Sequence, residues 1–465
     1  MCRGIVAELA GIDLGDQRLN ARAVSLLERL SSNPAASINA ACQGWSETQA
    51  AYRFFDNDRV EPHKLLEPHR RATAERIGEE SVVLLVQDTT ELDYSAHPAE
   101  GVGLLNKEQR QGLYDHSHVA FTPERLCLGV LDVEFFSRSI ETLGRTEERK
   151  SNPIETKESF RWLKGYRLAC ELSAEVPRTR IVSVADCEAD IYDIFLEAER
   201  HGTPADFLIR AKIERSLPER NPEVGPHAYR KVRTDVAASP VVAERVLSLP
   251  STPKREAREA RLQIRAKRVC VKPPHVRGRD PQVTLGIVLV QEVGASDDGT
   301  AIDWMLVTSL PIDSADDILR VVDYYAARWG IEIFFRVFKT GCRVEDIQLE
   351  SVERLRNCLM LYKVIAWRVM YLTYLSRECP NLPCTAVFAE IEWKPTWKIA
   401  TKKEPPAKPP SINEFLKVLA QLGGYNARKN DAPPGPQHIW VGVRRMTDFA
   451  LAWSAFQEQP KVVCN

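Results

Sequence analysis

The sequence has no C-x-x-C pair, no basic start followed by an apolar run, and almost no net charge. Each absence removes a class. Eleven cysteines, an odd number without close pairing, predict reduced thiols in a cytoplasm and not a disulfide scaffold. Cys379 and Cys384 stand near each other, yet no second Cys or His pair at zinc spacing accompanies them, so a structural zinc site is not expected. The opening residues, "MCRGIVAELAGIDLGDQRLN", lack a secretory pattern. The most apolar helix candidate, from Leu355, is broken by Lys363 and Arg368, which makes it a core helix and not a membrane span. A net charge of −1 is low for a protein that holds nucleic acid. Charge distribution, however, counts for more than the sum.

What is there is ordinary for a globular chain: 465 residues, 44% apolar and 27% charged, enough for about three domains. The first seventy or so residues read as small amphipathic helices dotted with arginines, "DQRLNARAVSLLERLSSNP", "WSETQAAYRFFDNDRV" and "HKLLEPHRRATAERI". At Ser81 the period changes. "SVVLLVQDTT" and "TRIVSVAD" are β-branched runs that each end on an acid and read as buried strands. With "LCLGVLDVEFFS", the helix "KESFRWLKGYRLACEL" and "DFLIRAKIE", they predict a mixed α/β sheet. From about Pro218 to Asp303 short alternating segments predict a β-rich insertion. Within it, Thr252 to Asp280 holds ten Lys or Arg against three acids, a candidate phosphate-contacting edge. Ser314 with Asp316 and Asp317 marks a helix start, and "TKKEPPAKPP" reads as an extended, exposed linker between later helices. Domains are expected at 1–72 (helical), 73–378 (α/β) and 379–465 (helical).

The most informative stretch is "YYAARWGIEIFFRVFKTG", Tyr324 to Gly341. At about 100° per residue, Tyr325, Arg328, Glu332, Arg336 and Lys339 fall on one stripe of a single helix, within roughly 60° of Tyr325. The rest of the circumference is apolar, so the stripe is expected to face a polar cleft inside the protein. Asp88 and Asp186, delivered at strand ends where α/β sheets gather their ligands, are expected to converge with Glu332. Three carboxylates without soft ligands suit Mg²⁺, which keeps waters and binds phosphates. A pair of such ions about 4 Å apart would serve phosphodiester chemistry.

These motifs together, "VQDTT", "VADCEAD" and the Tyr-x₂-Arg-x₃-Glu-x₆-Lys spacing from Tyr325 to Lys339, resemble the bacterial insertion-sequence transposases of the DDE class. The resemblance runs almost end to end. "LGDQRLNARAVSLL" and "AAYRFFDND" resemble that group's end-recognition module, and "LGGYNARKNDAPPGPQHIWVGVRRMTDF" resembles its dimerisation region. It implies a ribonuclease H-like core with a β-rich insertion about 218–303, a DNA-end-binding domain before it and a dimerisation domain after it. It implies Asp88, Asp186 and Glu332 as catalytic metal ligands for a pair of Mg²⁺ ions that Mn²⁺ replaces. Tyr325, Arg328 and Lys339 would grip the DNA backbone, with Arg210 and Lys212 as further contacts and Trp304 stacking on a flipped base. The implied function is cut-and-paste transposition through a DNA hairpin, by a homodimer on double-stranded DNA in which each site acts on the end recognised by its partner. Two other readings stay open: a DNA-binding repressor without catalysis, and a metal-dependent nuclease without strand transfer.

Overall fold

The computed structural model describes residues 4–42, 44–105, 110–138, 153–249, 258–278, 280–294, 301–428 and 431–457. Its strands, in chain order, are β1 (Val82–Asp93), β2 (Gly103–Leu104), β3 (Gln111–Phe121), β4 (Cys127–Phe136), β5 (Arg180–Ala185), β6 (Asp206–Arg210), β7 (Ser216–Arg220), β8 (Tyr229–Lys231), β9 (Ala243–Leu249), β10 (Arg258–Val271), β11 (Val283–Glu292) and β12 (Asp303–Thr308). The chain divides into two compact units. One holds residues 1–76, 89–143 and 330–465; the other holds 77–88 and 144–329.

In the second unit, the β-branched run before Asp88 pairs in parallel with β5, and β5 pairs in parallel with β6. Beyond β6 the sheet turns antiparallel through β12, β11, β10 and β9. The segment read as an insertion is therefore β-rich as expected, and its long strands extend the same sheet. β7 and β8 form a small separate hairpin. The alternating sequence of β10 explains why it takes an outer position: Ala260, Leu262 and Ile264 are buried while their neighbours are not. The helix Ala315–Ala327 starts as expected, with the Ser314 hydroxyl accepting the Asp317 N–H at 3.1 Å.

The first unit contains the three expected N-terminal helices, Gln17–Ser32, Trp45–Phe55 and Pro62–Gly78, the last of which runs two residues past the unit's boundary. Ala23, Leu26, Leu27 and Leu30 form the buried stripe of the first, and Asp16 caps it by accepting the Arg18 N–H at 2.8 Å. β3 pairs antiparallel with β2 and with β4. The helix Val352–Glu378 is long and apolar enough to cross a membrane by length and composition, but 94% of its apolar 18-residue stretch is buried within the protein. Its Lys363 is fully buried against Asp115 and Ser117 of β3, a charge neutralised inside the core. After it, the helices Glu390–Thr401, Ile412–Leu422 and Pro436–Gln457 close one apolar cluster around Trp393, Phe415 and Leu419. The Pro/Lys segment 402–410 between the first two has no regular structure and is mostly exposed, as expected.

Three expectations change. β1 does not stop at Asp88 but continues to Asp93, because Thr89, Thr90 and Leu92 suit a half-buried strand. β3, "QGLYDHSHVAF", carries no apolar run and was not foreseen as a strand. Its Asp115, His116, Ser117 and His118 are nevertheless buried. The helix expected across Tyr324–Gly341 is broken: Ala315–Ala327, a turn at Arg328 and Trp329, then Gly330–Arg336 and a π-helical turn Val337–Gly341. A Cβ at Gly330 would sit 2.9 Å from the Phe121 ring. Its glycine thus serves close packing rather than weakening a helix.

Candidate active site

The parallel strands bring the site together by register. The last paired residues are Gln87 with Ala185 and Ala185 with Ile209. One step further along the three strands stand Asp88, Asp186 and Arg210, on strands about 4.8 Å apart. Two carboxylates and a guanidinium thus share one row. Asp88 accepts from Arg328 Nη1 at 2.8 Å, and Arg328 is 7% exposed. The Asp186 side chain accepts the Glu188 N–H at 2.8 Å and so caps the short turn Cys187–Ala189. Arg210 Nη2 lies 3.5 Å from Cys187 Sγ.

Tyr325 is 2% exposed, with Arg328 over its ring at 5.7 Å to the centroid. Burial pushes its phenol up; Arg328 and Arg210 oppose that rise and Asp186 adds to it. Trp304 packs edge-on against Tyr325 at 5.2 Å and against Trp329 at 6.1 Å, and is itself 7% exposed. In this arrangement it is a core indole; stacking on a base would require it to leave both rings. Lys212 lies two residues past the end of β6, so Arg210 and Lys212 do not share a strand face. The strand ends because Asp190, 2% exposed, accepts the N–H groups of Lys212 at 2.7 Å and Ile213 at 2.8 Å.

The broken helix also removes the basis for a single stripe, since π-type i→i+5 bonding adds a residue to the turn before Lys339 is reached. Tyr325 and Arg328 belong to the second unit. Glu332, Arg336 and Lys339 belong to the first, where Glu332 and Arg336 are exposed. The Lys339 amine donates to the Glu91 carbonyl at 2.7 Å and pairs with Glu345 at 3.1 Å. Four cations of the basic run are paired within the second unit. Arg258 pairs with Glu292, Lys267 with Asp235, Arg268 with Asp313, and Arg277 with Asp193 and Asp280. Residues 252–257 and 279 of that run lie outside the described ones.

Among the described residues, no group of three or more His, Cys, Asp or Glu side chains is gathered to hold a metal ion. What the row offers is a pair of hard carboxylate donors, Asp88 and Asp186, with a guanidinium beside each. That set suits a cation such as Mg²⁺, which takes one or two protein carboxylates and completes its shell with water and substrate phosphate. The nine described cysteines are all free, as expected. Sequence reading missed Asp190 and its partner Arg215, whose Nη1 lies 2.5 Å from Asp190 Oδ1. The available signal was the second aspartate of "DCEAD".

Three family models match the chain in order. Residues 2–60 match the transposase DNA-binding family, 167–368 the transposase DDE domain, and 364–455 the transposase Tn5 dimerisation domain. A solved structure of the piggyBac transposase synaptic complex with hairpin DNA aligns over 99% of this chain and 80% of that one, at 11% identity and a TM-score of 0.33. So loose a superposition supports neither fold nor function, and neither rests on it.

Proposed function

Because this chain belongs to the insertion-sequence DDE transposases, DNA-binding enzymes with a dimerisation domain and a dependence on divalent metal, we propose that Asp88, Asp186 and Glu332 are its catalytic carboxylates. The observation that carries this is the row of Asp88, Asp186 and Arg210 across three parallel strands, with Arg328 on Asp88. The parallel trio made by the start of β1, β5 and β6 within the second unit supports a ribonuclease H-like core. Glu332 is assigned as the third ligand from its place in the Tyr-x₂-Arg-x₃-Glu-x₆-Lys spacing.

Divalent cations, in this reading two Mg²⁺ or Mn²⁺, would supply Lewis acidity that makes water nucleophilic and stabilises the leaving oxygen. The chain's own residues do the rest. Asp88 and Asp186 hold negative charge at a fixed spacing, and Arg328 and Arg210 flank them with guanidinium groups suited to scissile-strand phosphates. Tyr325 backs Arg328 and fixes its direction. Lys339 and Lys212 are further backbone contacts. Trp304, once released from Tyr325 and Trp329, is the residue proposed to stack on a base displaced by hairpin formation. The reaction order is a nick that frees a 3′-OH, attack of that hydroxyl on the opposite strand, hairpin opening, and joining to target DNA.

The test is cleavage of labelled linear DNA carrying the element's own inverted-repeat ends, with Mg²⁺ or Mn²⁺, beside Glu332→Ala. Cuts at the repeat boundary that vanish in Glu332→Ala, with a denaturation-resistant hairpin on the released end, are expected. Binding without any metal-dependent cut would leave a repressor. Cutting without joining would leave a nuclease.

A further inference from the structure

We infer that Asp190 and Arg215 form a clasp whose work is to set Lys212, and through it the loop after β6, against DNA phosphate beside Asp186. The inference deepens the proposed function and rests on its assignment of Lys212 as a backbone contact. Asp190 stands four residues after Asp186, past the short turn Cys187–Ala189 that Asp186 caps. It is 2% exposed, and the hydrogen bonds and ion pair of its carboxylate run to the segment following β6. Oδ2 accepts two consecutive backbone N–H groups, of Lys212 at 2.7 Å and Ile213 at 2.8 Å. Oδ1 faces Arg215 Nη1 at 2.5 Å, while the Asp190 carbonyl accepts from Arg215 Nη2 at 3.3 Å. Arg215 is in turn 8% exposed and lies over the Phe195 ring at 4.9 Å, so the core fixes the far side of the clasp.

This arrangement is costly for a mere turn. A buried carboxylate is offset only when it is hydrogen-bonded and a countercharge is at hand; here Oδ2 takes two backbone N–H groups and Arg215 supplies the countercharge, for a stretch that is itself exposed. Ile213 is 52% exposed, and Lys212 and Glu214 are exposed too, so the clasp secures no apolar packing at the segment it holds. What it fixes is the direction of a lysine two residues beyond Arg210, the residue in register with Asp186. A free lysine would lose conformational entropy on meeting a phosphate; a clasped backbone has already lost its share. Asp190 is therefore a positioning residue, acting through Lys212 and touching neither DNA nor metal.

The experiment is metal-free binding of a fluorescent duplex carrying the terminal repeat, measured over a range of salt. Four proteins are compared: the natural one, Lys212→Ala, Asp190→Ala, and the double variant. Each phosphate contact contributes about 0.9 to the slope of log affinity against log salt. We expect Lys212→Ala and Asp190→Ala each to lower the slope by about one contact, the double variant to lower it no further, and Asp190→Asn, which keeps an oxygen for both amides, to restore it. If Lys212→Ala lowers the slope while Asp190→Ala leaves it at the natural value, the clasp is structural only and the inference falls. If Lys212→Ala itself leaves the slope unchanged, the contact assignment falls first and takes the clasp with it. Should Asp190→Ala not fold, amide exchange on the natural protein decides: the Lys212 and Ile213 N–H groups must exchange at least tenfold more slowly than open backbone, and unprotected amides overturn the inference.

Discussion

Arg328 donates to Asp88 at 2.8 Å, so the guanidinium proposed for phosphate is held by a carboxylate that would also repel phosphate. Asp88→Asn separates these effects. It removes a negative charge from the site and loosens Arg328, so metal-free affinity for DNA should rise severalfold. Strand cleavage should fall by more than a hundredfold, because a neutral amide is a poor ligand for a hard cation. Binding by anisotropy and cleavage on the same duplex check both halves; a parallel loss of binding and cleavage would mean that Asp88 only supports the fold. At this scale the sequence was legible in the nearness of Asp88, Asp186 and Arg328, because charge and spacing coincide there. It was not legible at Trp304, whose burial against Tyr325 and Trp329 depends on rings brought together from a strand and a helix end. Nor was it legible at Asp190, whose partners lie more than twenty residues away in sequence.

Buried polar networks fix the elements. In the first unit, His69 is fully buried, with Nε2 accepting the Val130 N–H at 3.0 Å and Nδ1 facing Glu8 at 2.5 Å. Since Nε2 accepts, the proton sits on Nδ1 and the ring is neutral. Burial lowers the His69 pKa below 6.5 against the opposing pull of Glu8. Burial raises that of Glu8, but His69 and Arg76 together hold it below 4.5. Below about pH 6.5 the unfolded chain therefore binds a proton at His69 that the folded one refuses. Stability should be full above that pH and decline as pH falls through the window below it, with Glu8 adding a second loss below about 4.5. Urea midpoints at pH 7.5 and 5.5 test this: the natural protein should lose midpoint on acidification, and His69→Gln, which cannot titrate, should start lower and show a flatter profile. Equal midpoints for the natural protein would refute the neutral assignment. The same kind of burial hid β3 from sequence reading. Asp115 and Ser117 look like loop residues until Lys363, more than two hundred residues on, supplies their countercharge. Apolar runs announce strands such as the start of β1 and β5; a strand whose buried groups are polar announces nothing until its partner is known.

At the scale of the molecule, charge and apolar surface divide the work of holding DNA. The net charge is −1, and Arg258, Lys267, Arg268 and Arg277 of the basic run already face carboxylates, so long-range attraction is modest, and on the proposed reading the pairing of two chains on two DNA ends carries more of the affinity. All but the last two residues of the helix Pro436–Gln457 fall in the region matching the dimerisation family, and the helix leaves Trp453 37% and Phe456, just past that region, 76% exposed, one turn apart. Truncating the chain before this helix is a poor test of their role, because Ile439 and Met446 share a buried cluster with Leu372 and Leu375 of the helix Val352–Glu378. Removing the region would strip that helix of cover and unfold it, whatever becomes of the dimer. Point charges are the sharper probe. Trp453→Glu with Phe456→Glu should leave the melting temperature within a few degrees of the natural value, because both side chains already face solvent. Complexes on DNA should shift from two chains per pair of ends to one chain per end in light scattering, and cleavage at paired ends should fall at least tenfold while binding of a single end persists. An unchanged stoichiometry with unchanged cleavage would place the pairing surface elsewhere on the chain.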